Sequence, residues 1–363
     1  MRTTILTLHP AKLNALRWLA AVLLALGLAF ALTSQAEAAA CSPTRLLDLW
    51  ARTGTLTLPD STTVNIWGYT DSVAGAAQLP GPALSVNEGE CVQVTLHNDL
   101  AEATSLALHG QGLAADTVGA ASGGTAIYTF SAARPGTFLY EAGLTLNGAR
   151  QVGMGLYGAL IVQPATAPTT YSSEAVLVLS EIDLDLAANP TGFDMGDYKP
   201  EYWLINGQGY SNIPDLSIAS GSTALIRYVN AGLNENSMGL LGLDQQVVAA
   251  DGFAVPAYTV VAETIPPGAT LDTLVTVPAA ATVGTQYALY STAQHLDNNS
   301  AAYGGQLMFV TASAPLAPIA PAPLDVTGDK QAPPADSTPP IQADTPPVAA
   351  SPVDVNKPDV KTP

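Results

Sequence analysis

Residues 79–100 read LPGPALSVNEGECVQVTLHNDL, and SLALHGQG (105–112), YTFSAARPGTFLYEAG (128–143) and QVGMGLYGALIV (151–162) follow. Each piece alternates apolar with polar residues and is closed by Gly, Pro, Asn or Asp. That pattern is the mark of short antiparallel strands with one buried face. Upstream, RLLDLWA (45–51), TLTLP (55–59) and TTVNIWGYT (62–70) read as strands, with turns expected at Thr53-Gly54 and at Pro59-Asp60-Ser61. Together these pieces make one β-sandwich domain over residues 41–163. A Pro/Thr linker follows at 164–173. A second β-domain spans 174–311, opening with AVLVLSEIDLDL (175–186) and an acidic irregular stretch.

The flanks differ in composition. Lys12 and Arg17 precede an apolar run from Leu19 to Leu32, and small residues follow it. Residues 1–40 therefore read as a secretory signal peptide, with an uncleaved anchor as the alternative, which points to a secreted, periplasmic or cell-envelope protein. From residue 312 to 363 the chain is rich in Pro, Ala, Asp and Thr and has no apolar periodicity, the composition of a disordered tail. No transmembrane segment is expected in the mature chain. The chain carries 12 Lys+Arg against 30 Asp+Glu, a net charge of -18. Such a surface repels phosphate backbones, so nucleic acid is not an expected partner. The only cysteines are Cys41 and Cys91. In an oxidising compartment they would form a disulfide, with free thiols or a lipidated Cys41 as the alternatives.

The order of the motifs resembles the first domain of multicopper oxidases. Pro80-Gly81-Pro82, Glu88-Gly89-Glu90, the strand ending at Asn98, the ALHG of 107–110, the PGTFLYEAG of 135–143 and the GLYG of 155–158 follow the family's sequence of landmarks. LINGQGY (204–210), GSTALIRYVNAG (221–232), VVAADG (247–252) and PPGATLDTLV (266–275) are similar to its second domain. The resemblance implies an all-β chain of two cupredoxin-like Greek-key sandwiches. It also implies where copper ligands should lie. The family's H-x-H-G pair falls on Ala107 and His109, and its Y-H-x-H pair falls on Glu141 and Gly143 after Tyr140. One histidine of four is present, so Ala107, Glu141 and Gly143 are vacated ligand positions. Past the signal segment only His97, His109 and His295 remain, and the Pro-rich stretch stands where a ligand-bearing third domain would begin.

Counted this way, the chain resembles an oxidase scaffold that has lost its catalytic copper centres, and the expectation leans away from an enzyme. A binding or structural module is expected, with an envelope or extracellular protein or glycan as partner and a homotrimer as the possible assembly. The alternative is a copper-binding oxidoreductase or copper-handling protein with an unconventional metal site at His109 and His295, joined by Met238. A third expectation is a small-molecule pocket in the vacated space beside Tyr140 and Glu141. Against His109 as a ligand stands a simple hydrogen bond to a backbone carbonyl. His97 reads as a surface residue at a strand end. Glu181, Asp183, Asp185, Asp194 and Asp197 offer hard oxygen ligands for Ca²⁺ but lack the spacing of a calcium loop. GMGLYG (153–158) matches a phosphate-loop pattern, but a strand follows it, so it is set aside.

Overall fold

A computed structural model describes residues 41–315 of the chain. The expected signal segment lies outside the described residues, as does the Pro-rich stretch beyond residue 315.

The first sandwich is built from β1 (Arg45–Thr57), β2 (Thr63–Thr70), β3 (Leu84–Asn87), β4 (Cys91–Asn98), β5 (Leu106–Leu108), β6 (Thr125–Ser131), β7 (Gly136–Ala142) and β8 (Tyr157–Gln163). Two four-stranded sheets result, in the orders β2-β1-β4-β6 and β3-β8-β7-β5. The alternation seen in sequence is the cause. In β4, Val92, Val94 and Leu96 are fully buried while Gln93, Thr95 and His97 face outward and are half-buried. Not all pairings are antiparallel, however: β1 runs parallel to β4, and β3 runs parallel to β8.

The expected turn at Thr53-Gly54 does not exist. β1 runs through it without a break, with Gly54 opposite Ile66 of β2. The glycine answers a different need, because a Cβ there would lie 2.8 Å from the Cβ of Ala77. The residues before GLYG also form a short helix, α1 (Gly148–Gly153), which apolar alternation could not reveal.

The second sandwich opens with β9 (Ser173–Ile182), shorter than the apolar run it comes from, because Asp183 caps α2 (Leu184–Ala188) through Leu186 N–H. A single 3₁₀ turn (Met195–Asp197) precedes β10 (Tyr202–Ile205) and β11 (Leu216–Ala219). Then come β12 (Thr223–Asn230), β13 (Asn236–Leu240), β14 (Gln245–Ala250), β15 (Phe253–Val260), β16 (Ala262–Ile265), β17 (Thr270–Thr276), β18 (Gln286–Ser291), β19 (Asp297–Asn298), β20 (Ala301–Ala302) and β21 (Leu307–Ser313). They form an eight-stranded sheet, β15-β14-β17-β12-β9-β10-β19-β20, against a five-stranded one, β11-β21-β18-β13-β16.

The two sandwiches share a core. β8 is buried on both faces because it packs its own domain on one side and β9 on the other. One apolar cluster runs from Leu49 and Val94 through Leu160 to Val178, Leu204 and Val229. A polar clamp lies beside it. Arg227 of β12 bonds Thr137 of β7 (3.0 Å), Asp272 of β17 (3.1 Å) and Glu174 of β9 (2.9 Å), while Thr137 donates to Asp272 (2.6 Å). Phe138 reaches the second domain at Gly252, whose φ is +70° and where a Cβ would sit 2.2 Å from the ring. Every member of the clamp sits on a strand, so the orientation of the first sandwich's β7 is fixed by the sheet it crosses.

Candidate metal centre

The four positions that the resemblance assigns to copper lie on one face. β5 pairs antiparallel with β7 so that Ala107 opposes Glu141, and residues opposite each other point to the same side. The ladder continues at both ends, with His109 N–H bonding Leu139 O (3.0 Å) and Gly143 N–H bonding Ser105 O (2.9 Å). His109 and Gly143 therefore stand beside Ala107 and Glu141. Tyr140 points the other way. It is fully buried and donates to Pro82 O (2.7 Å), so its ring is part of the core and does not line this face. That face carries a hollow of about 220 Å³, whose lining includes Ala107, His109, Leu113, Asp116, Gly143 and Leu144.

His109 does not bond a backbone carbonyl through its ring. Its Nε2 lies 2.8 Å from Glu141 Oε1. That hydrogen bond raises the imidazole's pKa above its ordinary value; partial burial opposes the rise, and the charges of Glu141 and Asp251 add to it. At Gly143 a Cβ would meet Ser105 Oγ at 2.3 Å, so the strands approach too closely there for a side chain. Ser105 is held in place by donating to Asp116 O (2.8 Å). On its other side His109 borders a cleft of about 360 Å³ shared with the second domain, including Asp251, Phe253 and Gly268.

The other histidines have their own partners. His295 stacks on Trp203 of β10, with centroids 3.4 Å apart and planes 3° from parallel, and burial lowers its pKa. His97 stacks on Trp50 and bonds Asp48 through Nε2 (2.8 Å), so it is anchored rather than free at the surface. Within one chain the structure does not bring His109 and His295 together. His109 faces Asp251 at the β14–β15 turn, and β10 lies four strand spacings from β14, roughly 19 Å away. Met238 is a core residue, 1% exposed. Among the described residues no group of three or more His, Cys, Asp or Glu converges on a point where a metal could sit.

Three of the five carboxylates offered for Ca²⁺, Glu181, Asp183 and Asp194, hold backbone N–H groups of the fold. Glu181 Oε1 accepts from the N–H groups of Leu233 (2.6 Å) and Asn234 (3.1 Å), and burial raises its pKa. Asp183 holds Leu186 and Lys199 N–H, and Asp194 caps the 3₁₀ turn. These carboxylates do not form a calcium cage. Cys41 and Cys91 are joined in a disulfide with Cα atoms 5.8 Å apart, which settles their pairing and leaves no free thiol. Among the described residues no helix is long and apolar enough to cross a membrane.

Family models described as multicopper oxidase match residues 55–167 and 174–308. The chain belongs to the multicopper oxidase family. No curated protein matches it by sequence. Among solved structures it is similar to the blue copper oxidase from Nitrosomonas europaea, at 21% identity and a TM-score of 0.66 over 73% of this chain and 85% of that one. It is similar to the copper nitrite reductase of the same organism, at 22% identity and a TM-score of 0.62 over 75% and 94% of the two chains. A laccase from Botrytis aclada aligns at 22% identity with a TM-score of 0.59, over 77% of this chain and 55% of the laccase. At these identities the likeness is one of fold.

The residues present do not fit the copper cluster that the family's landmarks imply. Ala107 and Gly143 have no side-chain donor atom, and the one imidazole on the face is hydrogen-bonded through Nε2 to Glu141, so one ring stands where the cluster needs four. A blue copper site needs a Cys thiolate, and both cysteines of the chain are oxidised to the disulfide.

Proposed function

We propose that this protein is a member of the multicopper oxidase family that has kept the scaffold and lost the copper centres, and that it works as a binding or structural module outside the cytoplasm. The observation that carries this reading is the His109–Glu141 contact. Where the family places four imidazoles, one imidazole is bonded to a carboxylate between an alanine and a glycine. The glycine is itself required by close approach to Ser105, so the face has been rebuilt for packing.

The loop after Gly143 exposes Leu144 (69%) and Leu146 (98%) beside this face, apolar surface available to a partner. The Cys41–Cys91 disulfide supports an oxidising compartment, in keeping with a secreted, periplasmic or envelope location. The direct test is oxygen uptake by copper-treated protein supplied with a phenolic reductant. A rate at the uncatalysed background is expected; turnover on the order of 1 s⁻¹ or faster would overturn the reading.

A further inference from the structure

Strand β9 is paired on one side along nearly its whole length and on the other along less than half. β12 runs parallel to it from Ser173 to Leu179, whereas β10 covers only Leu179–Ile182. Alternate residues of a strand aim their N–H and C=O at opposite edges. Val178 identifies the residues that face the open edge, because its N–H donates to Asn206 Oδ1 (2.8 Å) and its C=O accepts from Asn206 N–H (2.8 Å). Val176 and Glu174 share that direction. Asn206 Nδ2 donates to Val176 O (2.9 Å), so this one carboxamide stands in for a missing peptide group of a neighbouring strand. It is placed there by the tight turn at Asn206-Gly207, where both residues have positive φ. Past it, the N–H of Val176 and the backbone of Glu174 have no partner among the described residues.

This edge borders a groove of about 480 Å³. Its lining includes the apolar Val176, Leu177 and Met308 and the carboxamides of Gln208 and Asn212. Asp215 also lines it. Its Oδ2 accepts from Gln286 Nε2 (2.9 Å) and Thr311 Oγ1 (2.7 Å), both neutral, and no cation pairs with it among the described residues. Across the groove, β11 ends the five-stranded sheet with β21 as its one partner strand.

The geometry points to an extended, cationic peptide segment of a partner protein that adds as a strand to the free edge of β9. Unpaired backbone groups on a sheet edge are a template for a further strand, with main-chain bonds giving affinity and pockets for alternate side chains giving selectivity. An apolar side chain of the incoming strand enters the groove, and a Lys or Arg meets Asp215. The choice of a cationic segment follows from that unpaired carboxylate and from the chain's net charge of -18. The site lies on the second sandwich, away from His109 and Glu141, and is independent of metal content.

The test uses the full chain and three capped octapeptides: alternating Lys and Val, the same peptide N-methylated on one edge, and alternating Glu and Val. Binding is read by fluorescence anisotropy, and exchange of the Val176 amide proton by NMR. The Lys/Val peptide is expected to slow Val176 exchange by about tenfold or more at saturation. The N-methylated and Glu/Val peptides, and the Asp215→Asn variant with the Lys/Val peptide, are each expected to bind at least about fivefold more weakly. Unchanged Val176 exchange at saturation, or equal binding of the N-methylated peptide, overturns the inference. So does a Val176 amide already protected in a self-associated chain without peptide, which would assign the edge to a second copy.

Discussion

Replacing Arg227 by methionine removes the cation from the clamp between the two sandwiches. The arginine side chain is 4% exposed and Asp272 is 7% exposed, with their charged atoms 3.1 Å apart, whereas Glu174 is 34% exposed. Losing the guanidinium leaves Asp272 buried with only the Thr137 hydroxyl, at 2.6 Å. Breaking a buried pair in this way costs about 3–5 kcal/mol, most of it the stranded charge and little of it the more exposed Glu174. Burial already raises the pKa of Asp272, and Arg227 opposes that rise; without Arg227 it climbs further. A carboxyl with a raised folded-state pKa binds more protons folded than unfolded. Its stability contribution therefore falls as pH rises from the unfolded carboxylate range through the folded value. Urea unfolding of Arg227→Met is expected to show the full loss at pH 8 and a smaller loss at pH 5. The double variant Arg227→Met/Asp272→Leu should recover most of the loss at pH 8. A loss below about 1 kcal/mol at pH 8, or a double variant no more stable than the single one, would refute the clamp.

Histidine titration by NMR separates the two candidate ligands. His109 is expected to titrate above 6.5 and His295 below it, and Glu141→Gln should lower His109 alone. Because His109 has a raised folded-state pKa, its contribution to stability is complete below the unfolded value and disappears as pH rises through the folded one. A His109 pKa at or below the ordinary value, or one unmoved by Glu141→Gln, would contradict the contact. At Gly143, alanine should destabilise the chain by about 1–3 kcal/mol through its clash with Ser105 Oγ, read as a lowered melting temperature. A Gly143→Ala variant melting with the wild type would show that the face still has room for a ligand.

The two β-sandwiches were legible because alternation survives in strands such as β4, and the family was legible because the landmarks around Ala107 and Glu141 keep their order. The Cys41–Cys91 bond followed from having two cysteines and an oxidising compartment. What the residues on that face do was not legible. The His109–Glu141 contact is a diagonal pair that depends on strand register and side-chain direction. Gly54 read as a turn because sequence does not distinguish a glycine that bends the chain from one that admits Ala77. Arg227 sits within the apolar run ALIRYVN, and its partner Thr137 is 90 residues away, so only the packed domains expose the clamp. The open edge of β9 was hidden for a similar reason: the run 175–182 looks uniformly strand-like, and nothing in it tells where β10 stops pairing.

Copper content of the purified chain, measured by mass spectrometry after incubation with Cu²⁺ and removal of loosely held metal, bears most directly on the proposed loss of the copper centres. Less than about 0.1 copper per chain, with no visible absorption band, is the expected result. About one copper or more per chain, with a thiolate-type visible band or with loss of binding in His109→Ala, would contradict it.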